Sequence, residues 1–154
     1  MNLSELNTAP ADDVMAALLA CADVPAWAAA IRDARPFPDE SGLFRVADEL
    51  AHIWTDEEVE KALAAHPRIG ERAEGWSRDE QAAVTPGEEL VQVNRAYEER
   101  FGRVFLICAT GLSTEEIIAN ARVRLDNDDA TEREVVKDEL RKIALLRLRK
   151  LLDE

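Results

Sequence analysis

The chain has 154 residues with a formal net charge of −13, and it is long enough to bury one core without a disulfide or a metal. The acidic charge argues against nucleic-acid binding, which requires a basic patch, and no apolar stretch approaches the length of a membrane helix. Because the chain also shows no signal pattern and no CxxC spacing between Cys21 and Cys108, we expect a cytoplasmic protein.

Alanine, leucine, glutamate and arginine dominate the chain, so helices are predicted nearly throughout. The expected fold class is all-α: a compact helical bundle of about eight to nine helices in a single domain, residues 1–154. Four S/T-x-x-E patterns, which begin at Thr55, Ser77, Thr85 and Ser113, are typical of helix starts. The predicted helices cover residues 2–8, 11–21, 24–33, 39–54, 56–65, 78–84, 86–101, 114–125 and 129–152.

Two stretches interrupt the helical pattern. Pro67 disfavours a helical conformation at His66, so residues 66–70 are predicted to form a rigid turn. Residues 101–109 are short, apolar and interrupted by Gly102, which indicates a buried extended segment.

His66 is the first candidate for chemistry because it combines a helix end with a constrained turn. An imidazole, with an unperturbed pKa of about 6.5, is suited to general acid–base catalysis. The alternative is a helix-terminal side chain that complements the helix dipole. The other histidine, His52, lies mid-helix between apolar residues, where a packing role is expected.

Glu80 is the second candidate. In the pattern that begins at Ser77, Glu80 would bond back to the helix start, which is a structural role. The same first turn, followed by Gln81 and small residues, also offers a carboxylate, an amide and unpaired backbone N–H groups to an anionic ligand. The two roles are compatible, since Ser77 can cap the helix and still face a cleft.

The last predicted helix places an arginine on its apolar face. That face consists of Leu140, Ile143, Ala144, Leu148 and Leu151. Arg147 falls within it, whereas Lys142 and Arg149 project from the opposite side. A guanidinium in an apolar environment needs an anionic partner. The alternatives are an internal salt bridge, exposure of the charge at the rim, and a clamp for a ligand carboxylate.

Several site types lack their sequence patterns. His52 and His66 are fourteen positions apart, and no HxxxH or HExxH pattern occurs, so we expect no metal site. Glycine-rich nucleotide loops and the contexts of serine or cysteine nucleophiles are also absent. We therefore expect no cofactor.

Four motifs follow one another in order: His66-Pro67-Arg68-Ile69-Gly70, Ser77-x-x-Glu80-Gln81, Asn94-x-x-Tyr97-x-x-x-Phe101-Gly102-x-x-Phe105 and Lys142-Ile143-Ala144-x-x-Arg147-Leu148. Upstream lie Leu6-Asn7, Trp27 and Arg35-Pro36-Phe37. Together they resemble the OHCU decarboxylases, where OHCU is 2-oxo-4-hydroxy-4-carboxy-5-ureidoimidazoline. The resemblance covers nearly the whole chain.

The resemblance implies an all-helical, cofactor-free homodimer that releases CO2 from OHCU to form (S)-allantoin in urate degradation. It implies that His66 and Glu80 are catalytic. The residues implied in substrate binding are Pro67, Ser77, Gln81, Phe105, Ile107 and Arg147, with Phe105 and Ile107 acting through their backbone and Arg149 as an alternative to Arg147. Arg68-Ile69 and Ala82-Ala83-Val84 differ from the family pattern, which leaves the substrate preference open.

Two other functions also fit the sequence. One is a related decarboxylase or hydrolase that acts on another ureide ring. The other is a non-enzymatic, acidic helical interaction module, in which the motifs form only caps and core. The second alternative predicts no cleft that unites His66, Glu80 and Arg147.

Overall fold

A computed structural model describes residues 1–71 and 75–153 of the chain. In those ranges it contains nine α-helices and no strand, which confirms the all-α prediction. The helices are α1 (Leu3–Thr8), α2 (Ala11–Cys21), α3 (Pro25–Asp33), α4 (Glu40–Ala51), α5 (Asp56–Leu63), α6 (Gly75–Glu80), α7 (Glu88–Phe101), α8 (Thr114–Arg124) and α9 (Asp129–Asp153). Only α6 is clearly displaced from its predicted position, toward the N-terminus. None of these helices combines the length and the apolar composition needed to cross a membrane.

Two of the four predicted helix starts form capping boxes. At α5, the Glu58 N–H donates to Thr55 Oγ1 over 3.1 Å, and the Thr55 N–H donates to Glu58 Oε1 over 2.9 Å. The same exchange occurs between Ser113 and Glu116 at α8. Each box satisfies backbone donors that the first turn of a helix leaves without an intrahelical partner.

The other two predicted helix starts are wrong. Helix α6 already contains Ser77, so Glu80 is the last residue of that helix and not part of a cap at its start. Helix α7 begins later than predicted, and the Thr85 N–H donates to Thr114 Oγ1 over 2.7 Å. A short S/T-x-x-E pattern does not determine a helix start when the side chains and backbone N–H groups of the pattern find hydrogen-bond partners elsewhere in the chain.

The chain forms two compact units, Met1–Ala62 with Leu140–Glu154 and Leu63–Glu139. In the first unit, α2 packs against α3 and α3 packs against α4. The predicted apolar face of α9 is buried in full, as shown by Leu140, Ile143, Ala144, Leu148 and Leu151. The helical periodicity of the sequence therefore predicts this face correctly.

Two upstream motif residues of the first unit, Asn7 and Arg35, bond to the backbone of other segments. The Asn7 side chain donates to the Phe37 carbonyl oxygen over 2.9 Å and accepts from the Phe37 N–H over 2.8 Å. Arg35 Nη1 donates to the carbonyl oxygens of Leu6 and Ala9 over 3.0 and 2.9 Å. These polar side chains satisfy backbone groups in the last turn of α1 and in the segment after α3, which have no intrahelical partners, and so they serve the fold of this unit.

In the second unit, residues 104–109 follow α7 without forming a helix, and most of them are buried. Buried backbone groups outside a helix need hydrogen-bond partners. The Leu106 carbonyl oxygen accepts from Arg124 Nη1 over 2.7 Å, and the Cys108 N–H donates to Glu139 Oε1 over 3.2 Å. The prediction of a buried, non-helical segment is confirmed, and charged side chains are what permit its burial.

A buried ion pair holds Arg124 in place. Its Nη2 lies 2.6 Å from Glu132 Oε2, and the two side chains are 5% and 0% exposed. The Tyr97 hydroxyl and the Asn127 amide also donate to the Glu132 carboxylate. Burial and the bond to Glu132 raise the pKa of Tyr97, so its hydroxyl remains a donor. The Arg124 guanidinium also lies 4.6 Å from the centre of the Phe105 ring.

We expect Glu132→Gln to lower the free energy of unfolding by about 3–5 kcal/mol, because the buried Arg124 guanidinium loses its anionic partner. Urea unfolding followed by circular dichroism measures the change. The matched control is Glu134→Gln on the exposed side of α9, for which we expect a change below about 0.5 kcal/mol. Equal stability of the two variants would contradict the role assigned to the pair.

Candidate active site

His66 lies in the turn that follows α5. The helix ends at Leu63, two residues earlier than predicted, and the His66 N–H donates to the Leu63 carbonyl oxygen over 3.0 Å. His66 and Pro67 are both half-buried. Because Pro67 fixes its own φ, the imidazole is carried by a short, constrained segment, as the sequence predicts.

Two polar side chains of α7 hold the residues that follow Pro67. Asn94 Nδ2 donates to the Ile69 carbonyl oxygen over 2.9 Å, and Arg68 Nε donates to Glu98 Oε1 over 2.8 Å. Asn94 is only 7% exposed. The turn is therefore bonded to the helix through its backbone as well as through a side chain.

Gly70 completes the turn and joins it to the end of α6. Its φ of +91° lies in the left-handed region, and an added Cβ would lie 2.6 Å from Leu90 Cδ2, so two constraints favour glycine here. The Gly70 N–H donates to Gln81 Oε1 over 3.0 Å. This bond connects the predicted turn of His66 to the segment that carries the second predicted group.

The second segment consists of α6 and Gln81. Glu80 is the last residue of α6 and is 8% exposed, whereas Ser77 is half-buried. The Gln81 N–H donates to the Ser77 carbonyl oxygen over 3.2 Å, which fixes Gln81 directly after the helix. A glutamate this deeply buried is unusual, because charged side chains are mostly exposed.

Phe105 and Ile107 belong to the same unit as His66 and Glu80. Their side chains form part of the apolar core, at 1% and 3% exposure. Because the segment is not helical, their backbone groups have no intrahelical bonds to make. Such an arrangement is compatible with ligand recognition through the backbone, which stays a prediction.

Arg147 belongs to the unit that contains the chain termini. It is half-buried, and its Nη1 donates to the Ala20 carbonyl oxygen over 3.3 Å. Burial raises the pKa of the neighbouring Cys21 thiol to about 12, and the positive charge of Arg147 partly opposes that rise. Its predicted role in binding substrate stays a prediction.

Arg149, the alternative to Arg147, is engaged elsewhere. Its Nη1 lies 2.6 Å from Glu40 Oε2, and its guanidinium lies 4.3 Å from the centre of the Phe44 ring. The Arg149 side chain is 45% exposed. These contacts give Arg149 a structural role.

Two cavities lie in the second unit, within the part of the chain that the structure describes. One, of about 340 Å³, is bounded by residues 68–71 and by α7, including Asn94. The other, of about 440 Å³, lies where α7 and α8 begin. Neither is lined by His66 or Glu80. Among the described residues, no three His, Cys, Asp or Glu side chains form a group that could hold a metal ion.

Four buried polar residues have no role predicted from the sequence: Asn94, Arg124, Glu132 and Glu139. Asn94 appeared only as part of a motif. A sequence pattern that can reveal such residues is a polar residue on the apolar face of a helix, the same pattern that identified Arg147. Asn94, for example, lies between the buried Val93 and Tyr97 on α7.

Known proteins resemble this chain in sequence and in fold. Residues 7–149 match the sequence profile of the family described as OHCU decarboxylase. A 2-oxo-4-hydroxy-4-carboxy-5-ureidoimidazoline decarboxylase from Amia calva is 30% identical over 83% of this chain and 81% of that protein. A uric acid degradation bifunctional protein from Bacillus sp. (strain TB-90) is 27% identical over the whole chain, which spans 33% of that protein. The crystal structure of an OHCU decarboxylase in the presence of (S)-allantoin superposes with a TM-score of 0.77 at 25% identity, covering 88% of this chain and 96% of that one.

Because burial keeps the Cys21 thiol protonated, we expect iodoacetamide at pH 8 to alkylate Cys21 at least about tenfold more slowly in the folded protein than in urea. Mass spectrometry of the digested protein measures both rates. The half-buried Cys108 in the same digest is the internal reference for reagent activity. Equal rates at Cys21 in the folded and unfolded protein would contradict its assigned environment.

Proposed function

This chain belongs to the OHCU decarboxylase family, and we propose that it converts OHCU to (S)-allantoin and CO2 in urate degradation. The observation that carries the proposal is the 3.0 Å hydrogen bond from the Gly70 N–H to Gln81 Oε1. This bond ties the turn that carries His66 to the segment that carries Glu80. It supports a shared site for an imidazole and a carboxyl group that are distant in sequence.

The substrate itself provides the electron sink. In OHCU the carboxylate is attached to C4, beside the C5=N bond of the ring. When the bond from C4 to the carboxylate breaks, its electron pair forms a C4=C5 double bond, and the C5=N pair moves to nitrogen, which takes up a proton. The C4 hydroxyl then loses a proton to become a carbonyl, while C5 gains one. Decarboxylases that use pyridoxal or thiamine obtain this sink from the cofactor.

His66 is the group proposed to accept the proton of the C4 hydroxyl. An imidazole is the side chain best suited to proton transfer near neutral pH. The segment from Leu63 to Gly70 restrains its position through bonds at both ends. A positioned general base typically contributes about 10²–10⁴-fold to the rate.

Glu80 is the group proposed to act on the ring nitrogen and the ureido side. Its position at the end of α6, buried and adjacent to Gln81, supports this role. Protonation at C5 from one face alone would give the S enantiomer. The reaction in water alone has no such preference, because its surroundings are achiral.

The remaining proposed residues hold the substrate in register. Gln81 uses its Oε1 to accept from Gly70, so its amide N–H2 is the part proposed to donate to the substrate. The guanidinium of Arg147 is proposed to bind the carboxylate. The other proposed contacts are Pro67, Ser77 and the backbone of Phe105 and Ile107.

A homodimer in the cytoplasm completes the proposal. The acidic charge supports a soluble form, since a net charge of −13 opposes aggregation. The dimer is an expectation carried over from the family resemblance.

We expect His66→Asn and Glu80→Gln each to lower kcat/KM on freshly generated OHCU by at least about 10²-fold and to abolish the enantiomeric excess of allantoin, because proton transfer loses its positioned group. Absorbance measures the rate, and circular dichroism measures the enantiomeric excess. The matched controls are His52→Asn and Asp79→Asn, both at exposed positions, which should behave like the wild type. Full activity in either test variant would show that the residue is not catalytic. Turnover of other ureides in place of OHCU would favour the alternative of a decarboxylase or hydrolase that acts on another ureide ring.

We expect Arg147→Gln to raise KM for OHCU by about 10- to 100-fold, because a charge-assisted contact with the carboxylate is lost. Steady-state kinetics measure the change. Arg149→Gln is the matched control, with KM expected within about twofold of the wild type, since it loses an exposed ion pair. A larger rise in KM for Arg149→Gln would reverse the assignment.

A further inference from the structure

One face of α7 meets the turn that follows Pro67. Three of its residues are spaced four apart, so they lie in a row along the helix. The turn runs antiparallel to this row, and each of three turn residues faces one of the three α7 residues. The pairs are Leu90 with Gly70, Asn94 with Ile69, and Glu98 with Arg68.

Asn94 makes the buried polar contact of this row. Arg68 and Glu98 are 48% and 25% exposed, so water and salt screen their attraction. Asn94 is 7% exposed, and its Nδ2 bonds directly to the turn backbone at the Ile69 carbonyl oxygen. A hydrogen bond shielded from water is the stronger constraint on the position of the turn.

The other polar atom of Asn94 is its side-chain oxygen, Oδ1. Among the described residues no donor reaches its buried Oδ1. The amide cannot be turned round to correct this, because Oδ1 would then face the Ile69 carbonyl oxygen, with an acceptor against an acceptor. Among the described residues, the Asn94 side chain therefore bonds through Nδ2, and that bond serves the backbone of the turn.

Packing restrains this part of the turn on one side, where Ile69 joins the apolar core with Leu90 and Val93. The cavity of about 340 Å³ adjoins Ile69, Gly70 and Asn94. A space of this size is large enough to hold water, so the atoms that border it have packed protein on their other side only. The hydrogen bonds therefore carry more of the restraint on the backbone here than they would in a filled core.

We propose that Asn94 is a positioning residue for His66. It fixes the backbone at Ile69, three residues after the imidazole, while the bond from the His66 N–H to the Leu63 carbonyl oxygen fixes the other side. Pro67 stiffens the connection between them. The inference rests on the proposed function, in which His66 is the general base. A displacement of about 1 Å in a reacting group can lower the rate by about 10²-fold.

Two variants test the proposal by kinetics. Asn94→Leu keeps the side-chain volume and removes the Nδ2 donor. Asn94→Asp keeps the side-chain shape and also lacks the N–H group. The aspartate variant serves as the test if the leucine variant does not fold. We expect kcat to fall about 10- to 100-fold with KM within about threefold, measured at a temperature where circular dichroism shows the folded protein. Gln92→Leu removes an exposed amide from the same helix and should leave kcat unchanged. A kcat within about twofold of the wild type in a folded Asn94 variant overturns the proposal.

Nuclear magnetic resonance gives a second readout that does not need activity. The chain has two histidines, so its imidazole signals come from His66 and His52 alone. We expect the Asn94 variants to shift the His66 imidazole signals and to leave those of the exposed His52 in place. Unmoved His66 signals overturn the proposal. If the wild-type chain does not act on OHCU, the proposed function fails, and these signals alone decide whether Asn94 positions His66.

Discussion

An apolar, non-helical segment can be buried only if its backbone N–H and C=O groups find partners, and charged side chains bind two such groups in residues 104–109. Arg124 reaches the Leu106 carbonyl oxygen, and it can be buried there because the Glu132 carboxylate neutralises its charge. Helices α8 and α9 supply the two members of the pair. One ion pair thus supports the conformation of a predicted substrate-binding segment.

Helix α7 connects this ion pair to the turn of His66. Tyr97 donates its hydroxyl to Glu132, and Asn94, one helical turn earlier, donates its amide to the Ile69 carbonyl oxygen. One rigid element therefore bonds both to the charged core and to the backbone that carries the imidazole. Such an arrangement supplies the fixed geometry that positioning catalysis requires.

The charge of the chain bears on the proposed substrate, which is an anion. A net charge of −13 repels an anionic substrate at long range, and salt weakens that repulsion beyond about 8–10 Å. Binding must then come from cationic and N–H groups close to the substrate. Arginine suits this task, because its guanidinium binds a carboxylate through two parallel hydrogen bonds.

The sequence by itself determined the helical class, nearly all helix positions, the apolar face of α9 and the family, because periodicity, capping and motif spacing are encoded locally or in order along the chain. Only the tertiary structure decided that Ser77 lies inside α6, that Gln81 bonds to Gly70, and that Asn94 holds Ile69. Each of these depends on which segments pack together. A local pattern does not contain that information, since the same polar side chain can cap a helix, bond to a distant backbone or face solvent with similar local sequence around it.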